Sequence, residues 1–233
     1  MIARSRYDII IIVGLAVAML TTLTPLAVRA QVPGSSAPQA ALKPGTDRWP
    51  VKTATDDDAR QIVTKPVHIT VEELLALPRP ADMPLNEANP KYQNHRARGA
   101  ETTIYTIEAE VVECRLSMDA DYHVTVRSEA GQTMVLEIPN PDPTFVPPGG
   151  RFARQLAGAR REFDTRYHLT VPMKTVPVNV RARITGIGYF GHSSRATEGN
   201  LIQLHPLLKI QWLKANPVGN DQVRSGQSPS PTK

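Results

Sequence analysis

Apolar and polar positions alternate with a period of two through much of the middle of the chain, and that period predicts strands. The clearest stretch is 119–139. Tyr122, Val124 and Val126 alternate with His123, Thr125 and Arg127; after Gly131, Met134, Leu136 and Ile138 alternate with Val135 and Glu137. Two alternating runs around a Gly-containing turn predict a β-hairpin with both apolar rows on one face. A three-residue loop at 130–132 pairs Val126 with Leu136 and Val124 with Ile138. A two-residue shift, pairing Val126 with Met134, keeps the same parity. In the favoured register Thr125 faces Glu137, His123 and Arg127 lie on its diagonals, and this polar row stands in water.

The same reading extends in both directions. Tyr105, Ile107, Ala109 and Val111 share one parity, then Val112, Cys114 and Leu116 carry the apolar row onward. A parity change inside one strand predicts a β-bulge and a bend. After the hairpin, five prolines between Pro139 and Pro148 predict an irregular segment. Phe152, Leu156, Ala159 and Phe163 then recur at helical spacing, with Arg151, Arg154, Arg160 and Arg161 off the stripe. That is an amphipathic helix with a basic outer face. Val178, Val180, Ala182 and Ile184 predict a fourth strand whose bent end is 186–190. A loop at 191–200 follows. The last strand carries Ile202 and Leu204, then Leu208, Ile210 and Trp212, with Gln203 and His205 outside and Pro206 at an edge or bulge.

Three strands, a helix and two strands, the first strand long and bent, is the order of the OB-fold, a mainly β, five-stranded Greek-key barrel. Another small open barrel, or a sheet crossed by one helix, fits the same elements. In a barrel of this order the first strand is expected beside the second and the last, so His205 need not reach the hairpin.

The rest of the chain divides by composition. Residues 1–30 read as a signal peptide: Arg4 and Arg6, an apolar run at 9–20, then Val28 and Ala30 at the cleavage position. The other reading is an uncleaved anchor helix. Either way the protein is expected to be exported, periplasmic or extracellular, and to touch a membrane only through this segment, if it stays uncleaved. Residues 31–59 read as a flexible linker and 215–233 as a disordered tail. Between them lie an N-terminal arm, 60–98, and the barrel domain, 99–214. The arm holds a short strand at 67–69 and a helix begun by a Thr70/Glu73 capping box and stopped by Pro78 and Pro80. Asp56, Asp57 and Asp58, and the basic cluster His95, Arg96 and Arg98, read as solvated loop.

Charge and cysteine narrow the chemistry. The formal charge is +5, and +3 of it lies outside 1–30, a weak attraction for anions. Cys114 is the single cysteine; in an apolar row it reads as a core thiol, and it excludes an internal disulfide or a cysteine metal cluster. There is no G-x-S-x-G, and Ser193 and Ser194 beside His192 have no placed acid partner. No P-loop or dinucleotide fingerprint is present; GIG at 186–188 opens no helix. The outer hairpin face lacks the aromatics that stack single-stranded nucleic acid.

The candidate ligand-binding residues are therefore His123, Thr125, Arg127, Glu137 and His205. Asp119 and Asp121, two carboxylates in one turn, could help hold a divalent cation; no other cofactor is indicated. A three-ligand site of His123, Glu137 and His205 would need all three to converge, which the expected strand order does not bring about.

Several pieces resemble a group of uncharacterised secreted bacterial proteins: TVEELLALPRP at 70–80, DADYHVTV at 119–126, TMVLEIPNP at 133–141, ARREFD at 159–164, ITGIGYF at 184–190 and LIQLHP at 201–206. The resemblance spans about 45–212 and implies export and a compact β domain, with no activity attached. In that group the position of Ala120 is usually Gly and that of Gln203 usually acidic. DADY at 119–122 is also similar to the acidic turn D-G-D-T of staphylococcal-type nucleases, which share the OB-fold. That likeness implies a cation-dependent hydrolase using Asp119, Asp121 and Glu137. Those enzymes carry a catalytic Arg on the third strand, where this chain has Leu136, Glu137 and Ile138. The first expectation is accordingly a non-catalytic binding or adaptor module for a protein, glycan or small ligand; the hydrolase is the second.

Overall fold

Six strands carry the fold: β1 (Val63–His68), β2 (Thr103–Leu116), β3 (Tyr122–Arg127), β4 (Thr133–Ile138), β5 (Thr175–Phe190) and β6 (Ile202–Trp212). The structure is a computed structural model that describes residues 42–83, 85, 90–191 and 200–214. The expected signal peptide, the first part of the linker, the tail and most of the 191–200 loop, with His192, Ser193 and Ser194, lie outside the described residues. The strands form one mixed sheet in the order β1-β2-β3-β4-β6-β5, and β5 pairs back onto β2. Hydrogen bonding therefore runs in a ring, and the fold is mainly β.

The alternating residues account for this closure. Tyr122, Val124, Val126, Met134, Leu136 and Ile138 are all buried, in one core with Ile107, Val111, Cys114, Leu204 and Phe163. The expected bulge lies where parity changes: pairing of β2 with both β3 and β5 shifts register between Val111 and Glu113. That bend lets a 14-residue strand keep both halves on the core. The helix forms as α3 (Ala153–Asp164, numbered after the two short helices below), with Phe152, Leu156, Ala159 and Phe163 buried.

The structure corrects the expected details in five places. The hairpin takes the two-residue shift: Val126 pairs with Met134 and Val124 with Leu136, so His123 faces Glu137 directly. The reason is the loop. Ser128 N–H donates to the Gln132 carbonyl at 2.8 Å and Gly131 takes φ +91°, so the chain turns over 129–131, one residue earlier than expected. The neighbours of the ring also differ. β2 adjoins β5, while β6 lies parallel to β4 with Leu136 beside Leu204. The arm's strand is longer than expected, spanning Val63–His68 parallel to β2. Arg160 leaves the basic outer face of α3: it is buried, with its guanidinium 3.3 Å from the Tyr122 ring centroid.

The fifth correction concerns the linker. Residues 49–59 are packed rather than free. Helix α1 (Trp49–Lys52) opens the stretch, and Val51, Thr53, Ala54 and Asp56 are buried. Ala54, Ala59 and Ile62 join Ile104, Ile187 and Leu208 of the sheet, and Phe152 and Leu156, in a second apolar cluster. Two buried ion pairs clamp the segment. Arg48 reaches Glu101 and Arg96 reaches Asp56, each at 2.7 Å. Partners 53 and 40 residues apart leave no local signal, which is why Asp56 and Arg96 read as solvated. Helix α2 (Val71–Leu75) has the expected reciprocal cap between Thr70 and Glu73.

Candidate functional site

The tight turn at 117–121 starts the site. Ser117 N–H donates to the Asp121 carbonyl at 2.8 Å, and Ala120 N–H to the Ser117 carbonyl at 3.1 Å. Ala120 takes the left-handed φ of +68°, a conformation that glycine adopts without cost. Arg160 pins the turn and the end of β4 by donating to the carbonyls of Ala120 and Ile138, at 2.9 and 3.2 Å. Asp121 is thereby fixed at the mouth of β3, its Oδ1 accepting Asn140 N–H at 3.2 Å.

Register supplies the other groups. His123 faces Glu137 across the hairpin, and the parallel pairing of Leu136 with Leu204 sets Glu137 beside His205. His205 Nε2 is 3.4 Å from Asp121 Oδ2, and its Nδ1 is 3.3 Å from Glu137 Oε2. The same Glu137 oxygen is 3.3 Å from His123 Nε2. The expected strand order leaves open whether His205 reaches the hairpin; here it does, because β6 neighbours β4. The expectation that the polar row stands in water is overturned: Glu137, His205 and Asp121 are 4%, 0% and 0% exposed. Val135 and Gln203, on the outward rows, are also buried. His123 and Asp119 remain half-buried.

Tyr189 and the N-terminal segment make the cover. The Tyr189 ring lies 5.3 Å from His205, and the cations of Arg48 and Lys52 stand 4.7 and 5.8 Å from that ring. Two of the expected ligand residues turn elsewhere. Thr125 donates to Glu113 at 3.4 Å, and Arg127 pairs with Glu110 at 2.7 Å. Sequence reasoning missed Lys52, Tyr189 and Arg115. Only Arg115 had a signal, its place on the outward row of β2, opposite His123.

The electrostatics follow from enclosure. Burial, opposed by the pull of Glu137, takes His205 down to about 3, so its imidazole is neutral. Burial, reinforced by the charge of Asp119, raises Asp121 to about 7. For Lys52 burial works downward, but the fields of Tyr189, Glu137, Asp119 and Asp47 leave a net upward shift, so it remains a cation. Among the described residues, Asp121 Oδ2, Glu137 Oε2 and both nitrogens of His205 have no hydrogen-bond partner. Burial without a partner is costly for such groups.

A groove of about 580 Å³ opens elsewhere, lined by Thr70, Glu72, Glu108, Glu129 and Arg181 among others. Arg181 is held there by Glu129 at 2.5 Å. No family model matches the chain, and no curated protein matches it.

Proposed function

We propose that this chain is a non-catalytic binding module built on an OB-type barrel, with its ligand face on the outward rows of β3, β4 and β6. Two features support the OB assignment. The ring order β2-β3-β4-β6-β5 has β4 parallel to β6, and α3 sits between β4 and β5 in the chain. The observation that carries the function is the set of unpartnered buried atoms on Asp121, Glu137 and His205, gathered from the ends of three strands. A purely structural network would be expected to satisfy its own polar groups. The enclosure favours an ion or small molecule over a protein or glycan. The signal-like 1–30 segment supports a place outside the cytoplasm.

A thermal-unfolding panel tests the reading: the full chain against metal salts, nucleotides, oligosaccharides and short peptides, in parallel with Glu137→Gln. The expected result is a shift with an ion or small ligand that the variant loses. No shift with any class would remove the proposal.

The convergence of Asp121 and Glu137 favours one competitor, the cation-dependent hydrolase using Asp119, Asp121 and Glu137. Full enclosure of Asp121 and His205 speaks against a polymeric substrate reaching them. Manganese- or calcium-dependent cleavage of a fluorogenic phosphodiester, lost in Asp121→Asn, would replace the binding module with the hydrolase.

A further inference from the structure

We propose that Asp121, Glu137 and His205 bind one divalent first-row metal ion of the zinc or manganese kind. This names the ligand of the face assigned above and rests on that assignment. One ligand atom from each residue lies within 4.8 Å of the others. The His205 Nε2–Asp121 separation of 3.4 Å matches about 3.3 Å, the edge of a tetrahedron with ~2.0 Å metal–ligand bonds, while Glu137 Oε2 faces the other ring nitrogen at 3.3 Å.

Imidazole chemistry gives the ion a place. A neutral ring has one N–H and one lone pair, yet a buried carboxylate oxygen faces each nitrogen of His205. One edge can take the ring hydrogen. The other sets a lone pair against an oxygen, and a cation between them turns that repulsion into two bonds. The result is the usual arrangement of a metal-bound histidine, with one nitrogen on the metal and the other donating to a carboxylate. One ring nitrogen with two carboxylate oxygens suits zinc or manganese better than calcium, which prefers six to eight oxygens.

A second triad, Asp119, His123 and Glu137, has similar spacing, and a hydrogen bond decides between the two. Arg115 Nη2 meets His123 Nδ1 at 3.3 Å. A guanidinium can only donate, so Nδ1 accepts and the ring hydrogen sits on Nε2, aimed at Glu137. His123 is then a positioning residue that holds the Glu137 carboxylate, and Arg115 sets its tautomer.

The test starts from the full chain unfolded in urea with chelator and refolded with or without zinc, manganese or calcium, because an enclosed ion must enter before the cover closes. Elemental mass spectrometry should find one zinc or manganese per chain. Tm should rise by about 5–10 °C at a hundredfold excess over Kd, with no rise in calcium. Asp121→Asn and His205→Gln should lose the ion. Arg115→Met should weaken binding by about 10–100-fold while leaving the metal-free Tm unmoved; that variant keeps the test valid where His205→Gln does not fold. Refolded wild-type protein that takes up neither zinc nor manganese overturns the site, as does uptake unchanged in Asp121→Asn. If another ligand class still shifts wild type and Glu137→Gln abolishes that shift, the metal falls and the binding face stands. If nothing shifts, both fall.

Discussion

The outward rows of the sheet carry two clusters of charged and ionisable groups, and they differ in every physical respect except their alternation. On β2 and β5, Glu108 takes Arg183 at 2.6 Å, Arg181 takes Glu129 at 2.5 Å, and Arg127 on β3 takes Glu110 at 2.7 Å. Each of these groups has an opposite charge as its neighbour and stands open to water. At the start of β3 and on β4 and β6, Asp121, Glu137 and His205 are enclosed, and their facing atoms have no hydrogen-bond partner among the described residues. The first cluster resolves itself in place. The second is held under a lid of Tyr189, Arg48 and Lys52 and leaves those atoms unmatched among the described residues. What separates the two is the cover laid over one and withheld from the other.

The strongest way to break this contrast is to release the cover. Arg96 donates to both Asp56 oxygens, to the Val51 carbonyl at 2.7 Å and to the Glu101 carbonyl at 3.1 Å. Arg96→Met removes the cation and leaves Asp56 buried and unpaired, a loss of about 3–5 kcal/mol. Urea unfolding of variant and wild type measures it. The same variant should expose Lys52 and His205 to solvent, visible as faster amide exchange across 47–56 and the first half of β6. A loss below 1 kcal/mol would mean that the segment is not held by this clamp.

A smaller effect sharpens the contrast from beneath. Arg160 satisfies two carbonyls that flank the enclosed cluster and lies over Tyr122. Arg160→Met keeps most of the apolar stem but strands both carbonyls, so about 2–3 kcal/mol should go. Because the carbonyls belong to Ala120 and Ile138, next to Asp121 and Glu137, the variant should also weaken any ligand of the cluster. A drop in stability with binding unchanged would make Arg160 a structural tie alone.

The apolar rows of both clusters were legible, and the cover was not. Alternation placed Val124, Leu136 and Ile184 inward, and the parity change at Val112 marked the bulge, because inward-facing side chains report on one continuous core. The same alternation placed Glu137 and His205 outward, which is their place on the sheet. What it could not show is that outward and exposed differ here. The cover comes from residues 43–62, whose Arg48 and Asp56 look solvated until Glu101 and Arg96 are found across the fold. The convergence of His205 on Glu137 stayed open for another reason: it depends on which strand closes the ring, and strand order leaves no periodic trace. His123 was placed on the diagonal of Glu137 and not opposite it, because the chain turns over 129–131, one residue before the expected 130–132.

A thiol reports on the inward side of the same wall. Cys114 is buried on β2, and burial, helped by the charge of Glu113, raises its pKa to about 11. The folded thiol is therefore protonated at pH 8–9, where a free cysteine is partly thiolate. Alkylation by iodoacetamide at pH 8 should be slow and should accelerate with urea along the unfolding curve. In Arg96→Met it should stay slow if the clamp holds only the outer cover. Rapid labelling of wild type at pH 8 would show that the wall itself opens.

The smallest effect belongs to the exposed row. Glu108→Gln removes the carboxylate facing Arg183 and Arg181, but both guanidiniums stay hydrated and Arg181 keeps Glu129. Exposed pairs contribute little because water already solvates each charge and holding two long side chains together costs entropy. The expected loss is below about 0.5 kcal/mol in urea unfolding, shrinking further in added salt as screening shortens the reach of each charge. A loss approaching that of Arg96→Met, or one insensitive to salt, would mean that the open row is as integral as the covered one. The difference between the two faces would then lie in chemistry alone.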